Sequence, residues 1–175
     1  MRNFIIFNLF FVTYAANSSE WQVAITKIKT KLPSQITELP THVKNVLTKE
    51  NCKIPTGEIG TSTPKELAKV KGWTKGSFSK IGQTDWAVVC VYDKFSKIKI
   101  VWGGSNTCKA STDFKEPLIN NIYGGNSGQG QFFYFHRDLS IHRAKKLDAL
   151  VELNDKGGEN HFCSNGIWTT KSEYH

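Results

Sequence analysis

The sequence predicts an α+β fold: a single domain dominated by an antiparallel β-sheet, laid out as a meander, with one or two short helices and disulfide staples. Three observations carry this. From Lys71 onward the apolar residues alternate with period two and are broken by tight-turn signals. A helical i, i+3, i+4 pattern follows Pro40. Four cysteines lie downstream of an amino-terminal leader.

The leader occupies residues 1–15. Arg2 supplies a positive start, Phe4 to Val12 form a short apolar core interrupted by Asn8, and Thr13-Tyr14-Ala15 places small residues where a signal peptidase reads. At nine residues the apolar run is too short to span a bilayer, so it reads as a cleaved export signal. Residues 16–175 are then expected to form one exported domain, periplasmic or secreted, with no transmembrane segment after cleavage. Apolar residues make up 39% of the chain, enough for a packed core and against a disordered tail.

Along the chain, Asn17 to Lys31 reads as a polar lead-in with weak alternation at Val23, Ile25 and Ile28. Pro33 and Pro40 punctuate the next stretch. A helix is expected from Pro40-Thr41 to about Glu50, with Val43, Val46 and Leu47 on one face. Thr56 to Pro64 is a Gly/Ser/Thr-rich loop, and Pro64 to Val70 suits one helical turn. Trp73 to Phe78, Asp85 to Tyr92 and Lys97 to Trp102 then read as consecutive strands. They are joined by turns at Lys80-Ile81-Gly82-Gln83 and Asp93-Lys94-Phe95-Ser96. In the middle strand, Trp86, Val88 and Cys90 face one way and Ala87, Val89 and Val91 the other. Both faces are apolar, which predicts a central, doubly covered strand.

Residues 103–130, rich in Gly, Asn and Ser, read as one long loop around Tyr123-Gly124-Gly125 and Ser127-Gly128-Gln129-Gly130. Gln131 to Arg143 reads as a continuous strand with Phe133, Phe135, Leu139 and Ile141 on one side. Lys145 to Leu153 fits helix or strand. After a turn at Asn154-Asp155-Lys156-Gly157-Gly158, a terminal hairpin folds around Asn165-Gly166.

An even number of cysteines in an exported chain favours two disulfides among Cys52, Cys90, Cys108 and Cys163, with three connectivities open. A Cys52–Cys90 bridge would pin the helix to the central strand and leave Cys108 for Cys163. Buried free thiols are the alternative. No spacing resembles CxxC, which counts against a zinc ribbon or a thioredoxin-type site.

Charge is uneven. Residues 16–109 hold 15 lysines against 7 acids, residues 110–175 hold 7 basic and 8 acidic groups, and the chain stands at +8. Such a balance favours anionic partners: a polysaccharide, a lipid headgroup or an acidic protein. Export argues against nucleic acid, as does the lack of an Arg-rich run. A solvated lysine-rich surface explains the same composition.

For chemistry, His136, Asp138 and His142 form the best constellation. On one strand the i, i+2 and i+6 side chains share a face and could converge on zinc or copper. The plainer reading is the wet face of an amphipathic strand, and no metal or cofactor is assigned on this ground. No G-x-S-x-G, phosphate loop or dinucleotide fingerprint is present, and none of the four Cys sits in a Cys/His protease context. Glu58, Glu66, Asp113 and Glu116 could serve carboxylate chemistry, although nothing distinguishes them from loop acids. Trp21, Trp73, Trp102, Tyr123 and Trp168 could stack on a carbohydrate or protein partner, or equally form core.

The run from Gly76 to Val88, with Gly76, Phe78, Gly82, Asp85, Ala87 and Val88, resembles the G-x-F-x-x-x-G-x-x-D-x-A-V hairpin of FG-GAP (integrin-alpha-like) repeats. With the preceding helix, Cys52-Lys53-Ile54-Pro55 and Cys90, residues 39–104 resemble a group of uncharacterised exported bacterial proteins. The FG-GAP likeness implies a calcium loop nearby, for which Asn154 to Asn160 is the nearest equivalent. It offers two carboxylates with Lys156 between them, fewer charged oxygens than a hard cation needs. One hairpin also cannot build a propeller.

The expected function is therefore an exported, non-catalytic binding or envelope-associated role, with sheet-edge loops and residues 103–130 as the contact surface. A small exported hydrolase of cell-wall or host polymers is the alternative, and an inhibitor of such an enzyme a third reading.

Overall fold

Strand β4, Asp85–Val91, is buried at every position, and the rest of the chain is arranged around it. In the computed structural model, residues 18–61, 63–109, 114–127, 130–143, 147–154 and 157–173 are described. The leader, 1–15, lies outside them. The elements before β4 are α1 Ser18–Thr26, β1 Ile28–Lys31, α2 Thr41–Lys49, β2 Ile54–Ile59 and β3 Trp73–Gly76. After it come β5 Phe95–Val101, β6 Lys115–Pro117, β7 Ile122–Ser127, β8 Gly130–Phe135, β9 Asp138–His142, β10 Ala149–Asn154, β11 Gly157–Ser164 and β12 Ile167–Glu173. Among the described residues, these strands form three four-stranded sheets, in the orders β3-β4-β5-β6, β1-β2-β8-β7 and β12-β11-β10-β9. Every ladder between these strands is antiparallel, and one isolated parallel bridge joins Lys109 to Ile167. The protein is thus α+β, dominated by antiparallel sheet, with two short α-helices among the described residues and two disulfides.

The two faces of β4 feed two cores, as their apolar alternation predicts. Ala87, Val89 and Val91 join Ile59, Phe78, Ile98, Phe135, Leu139, Leu150 and Trp168, a cluster drawn from all three sheets. Trp86, Val88 and Cys90 pack instead with Val43 and Leu47 of α2, Ile36, Leu39 and Ile54. Burying each Val or Leu side chain contributes about 1.5–3 kcal/mol, so α2 is held chiefly by this contact. Asn51 ends α2 at φ 54, and the Cys52 N–H donates to the Leu47 carbonyl at 3.0 Å. That left-handed step turns Cys52 back toward β4, where it bridges to Cys90. The second bridge, Cys108–Cys163, joins the chain after β5 to β11. Backbone bonds of Lys109 to Gly166 and Trp168, 2.8 and 2.9 Å, reinforce it.

The turns at residues 80–83 and 165–166 form where expected, whereas the one expected over 93–96 is shorter, since β5 already begins at Phe95. Gln83 N–H reaches the Lys80 carbonyl at 3.1 Å, with Gly82 at φ +80. Asn165 and Gly166 both have positive φ, 52 and 77, as a type I′ turn requires. Asp85, fully buried, anchors the first of these. Its carboxylate accepts from the backbone N–H groups of Phe78 (3.1 Å), Ser79 (3.1 Å) and Gly103 (3.0 Å). Ser79 Oγ at 3.0 Å and Gln83 Nε2 at 2.6 Å complete the set.

Four expectations are corrected. Residues 18–26 are helical, because Trp21, Ala24 and Ile25 bury at helical spacing once Ala24 counts as apolar. The 56–64 loop gives way to β2, whose Ile54, Pro55, Gly57 and Ile59 are buried against the two cores. Residues 103–130 are not one loop: β6 and β7 lie within them. Gly124 and Gly125 are strand residues, flat beneath the Phe133 and Phe132 rings, where an added Cβ would sit 3.0 and 2.8 Å from ring carbons. Finally, residues 131–143 are two strands broken at His136-Arg137. β8 pairs with β2 and β7, and β9 pairs with β10, so the chain changes sheets at that point.

Asp85→Ala strands several buried N–H donors at once, and the expected loss in urea unfolding is about 3 kcal/mol or more. A loss under about 1 kcal/mol would show that the donors find other partners. Each bridge closes a long loop, of 38 residues for Cys52–Cys90 and 55 for Cys108–Cys163. Replacing either pair by Ser is expected to cost about 4 kcal/mol on chain entropy, read from the same unfolding curves.

Candidate functional site

The break at His136-Arg137 decides where the expected ligands go. With it, His136, Asp138 and His142 no longer lie on one continuous strand. The half-buried His136 ring packs on Tyr123 (5.9 Å between centroids) and Tyr134 (6.2 Å). Asp138 accepts from the Lys71 N–H at 2.9 Å, tying the approach to β3 onto β9. His142 is exposed at the end of β9. Among the described residues these three do not form a group with converging ligand atoms.

The other candidates also disperse. Glu58 pairs with Lys29 at 2.5 Å, Glu116 accepts from Asn121 at 3.0 Å, Glu66 is exposed, and Asp113 lies outside the described residues. Trp168 is core, 1% exposed, with Trp102 stacked on it at 6.1 Å. Trp21 meets Phe133 edge-on at 5.0 Å, Trp73 packs on the second core, and Tyr123 meets Tyr134 at 5.7 Å.

What the fold assembles instead is a buried polar cluster at the junction of the sheets. Arg137, 1% exposed, donates from Nε to Glu152 Oε1 at 2.7 Å and from Nη2 to Glu152 Oε2 at 3.3 Å. Its Nη1 reaches Ser96 Oγ at 2.6 Å, and Nη2 also reaches the Phe114 carbonyl at 3.0 Å. Ser96 in turn donates to Asn121 Oδ1 at 2.5 Å. On the far side of Glu152, His161 Nε2 lies 3.4 Å from Oε2, and its Nδ1 lies 2.9 Å from Thr170 Oγ1. Glu159 Oε2 is 3.8 Å from the same Nε2. A cavity of about 360 Å³ opens onto this cluster, lined also by Lys115 and Glu116.

Burial alone would push the Glu152 carboxyl up. The His161 hydrogen bond and the charge and hydrogen bonds of Arg137 outweigh it, and the group is held below its ordinary 4.5. Glu152 is therefore a fixed anion with both oxygens engaged, a poor general acid or nucleophile.

A second feature lies at the β4–β5 turn. Tyr92 and Phe95 stack with centroids 4.8 Å apart, and Lys115 Nζ sits 4.1 Å over the Phe95 ring. Backbone bonds fix the walls: Tyr92 N–H to Phe95 O at 2.9 Å, Val91 N–H to Lys53 O at 2.8 Å and Leu118 N–H to Lys94 O at 3.1 Å. The resulting open groove, about 790 Å³, has a mainly apolar lining with Lys53, Lys94 and Lys115 around it and Asp93 as its acid. Burial, with the Glu50 carboxylate behind it, raises the Tyr92 phenol, which stays a neutral donor. Sequence reasoning missed Tyr92 and Phe95 because they flank a turn. The signal available was a pair of aromatics bracketing Asp93-Lys94 in a lysine-rich stretch.

No protein family, curated protein or solved structure matches this chain.

Because folding lowers the Glu152 pKa, its contribution is fully present above about pH 4.5, where the unfolded carboxyl is also ionised. It is lost as pH falls through the lower native value. Glu152→Gln leaves Arg137 buried without a counter-charge, an expected cost of about 3–5 kcal/mol at neutral pH. The variant's stability should fall less steeply than wild type on acidification below pH 4.5. Parallel acid limbs in the two proteins would remove Glu152 from the explanation.

Proposed function

We propose that this chain is an exported, non-catalytic binding protein whose contact surface is the Tyr92–Phe95 groove. Its ligand is an anionic polysaccharide. The observation that carries the reading is the stacked aromatic pair ringed by Lys53, Lys94 and Lys115. A sugar ring offers an apolar face to an aromatic platform, while its carboxylates or sulfates meet the ammonium groups. Lys115 and Pro117 bring part of residues 103–130 into this surface, and the β4–β5 turn brings the sheet-edge part. Export to the periplasm or beyond is supported by the leader in the sequence and by two disulfides, which persist in oxidising compartments. Carboxylate hydrolysis is disfavoured by the engagement of both Glu152 oxygens.

Calorimetry with polygalacturonate against neutral dextran tests this. Binding to the acidic polymer alone is expected, weakening as salt rises. Combining Lys53→Glu with Lys94→Glu, or making Tyr92→Ala, should each lower affinity by about tenfold, a loss of about 1.4 kcal/mol. Equal binding to dextran, no binding to either polymer, or unchanged affinity in both variants would overturn the reading.

A further inference from the structure

Two carboxylates face each other in the carboxy-terminal sheet with the His161 imidazole between them. Glu152 of β10 and Glu159 of β11 are direct cross-strand partners, and His161 lies two residues beyond Glu159 on the same face. Carboxylates placed directly opposite one another in an antiparallel pair repel. Arg137 neutralises Glu152 from one side. For Glu159, 43% exposed at the cavity, the structure records His161 at 3.8 Å and no closer polar partner among the described residues. Among the described residues no Lys or Arg is recorded bridging both carboxylates, and the geometry leaves room for a cation beside them.

We propose that Glu152, Glu159 and His161 form a site for a divalent transition ion of the zinc type. One ligand atom from each lies within 4.8 Å of the other two. Tetrahedral zinc with bonds of about 2.0–2.2 Å sets ligand atoms about 3.3–3.6 Å apart. The His161 Nε2 to Glu152 Oε2 separation, 3.4 Å, is already that edge, so the ion would take the place of the long hydrogen bond between them, with the imidazole in the other tautomer. The Nε2 to Glu159 Oε2 separation, 3.8 Å, closes by a small rotation of a half-exposed side chain. Thr170 Oγ1, 2.9 Å from Nδ1, can accept its N–H and leave Nε2 as the ligand atom. Arg137 plays the same orienting part for Glu152, holding the carboxylate ionised and in place. The cavity leaves the fourth position to water or an exogenous donor. One nitrogen and two carboxylates suit zinc; calcium demands more oxygens than the group supplies.

The test uses zinc chloride with the disulfide-bonded chain, followed by calorimetry and by the imidazole resonances of His161. One zinc per chain is expected, with the His161 signals shifting first. Glu159→Gln should weaken binding by at least about tenfold, and Thr170→Val by about tenfold. Without zinc, Glu159→Gln should melt at the same temperature as wild type or higher, since it removes a repulsion. Saturating zinc should then reverse that order. If zinc does not bind, or binds equally to Glu159→Gln, or shifts His42, His136 or His142 and leaves His161 unmoved, the site does not exist. A lower zinc-free melting temperature in Glu159→Gln would assign Glu159 to a simple ion pair with protonated His161 and would likewise overturn the proposal.

Discussion

The guanidinium of Arg137 is the joint on which the three sheets meet. It sits where the chain leaves one sheet after β8 and enters another at β9, and its hydrogen bonds run to β10 through Glu152 and to β5 through Ser96. Ser96 passes the connection on to Asn121, at the entrance to β7. An arginine this deep is tolerable only when its charge is matched and its donors are used. Both conditions hold, because the bidentate pair with Glu152 supplies the charge and the Phe114 carbonyl takes a further donor. Hydrophobic contacts between sheets can slide. A planar fork with fixed acceptors cannot, so the pair sets how the sheets are registered as well as holding them together.

This joint also shapes the chemistry around it. By holding Glu152 as an anion on the inner face of the sheet, Arg137 creates the negative wall that His161 and Glu159 share. Lys115 lines the cavity over that wall and also caps Phe95 in the groove on the other side. One short strand, β6, thus separates the aromatic, lysine-rimmed groove from the polar cluster. The two surfaces present opposite charge preferences, which is what a protein needs if it is to take an anionic polymer at one and a cation at the other.

Much of the central architecture was legible in the residues because it is local. Two-sided apolar alternation in residues 86–91 implied a covered strand. Gly82 and Asp85 implied the preceding turn, and Asn165-Gly166 implied a two-residue hairpin. The helix after Pro40 was visible in Val43, Val46 and Leu47. The failures have equally specific causes. Gly124-Gly125 read as flexible because glycine carries no pattern of its own; in the sheet it is the residue that lets the Phe132 and Phe133 rings lie flat. The 131–143 run read as one strand because its alternation continues across Arg137, whose inward turn follows from a partner 15 residues away. A convergence of His136, Asp138 and His142 would need that continuous strand, and the break removes it.

Composition and local pattern by themselves determined the strand-rich class, the export expectation, the basic character and the cysteine inventory, since each depends on residue type or on neighbours a few positions apart. Tertiary structure alone decided which carboxylates face each other, which histidine is buried beside them, and which aromatics border the lysines. Glu152, Glu159 and His161 share one hairpin, yet only the register of β10 against β11 sets them face to face. Lys53 and Lys115 are distant from Tyr92 and Phe95 in the chain and reach them through the Lys53–Val91 bridge and the pairing of β6 with β5.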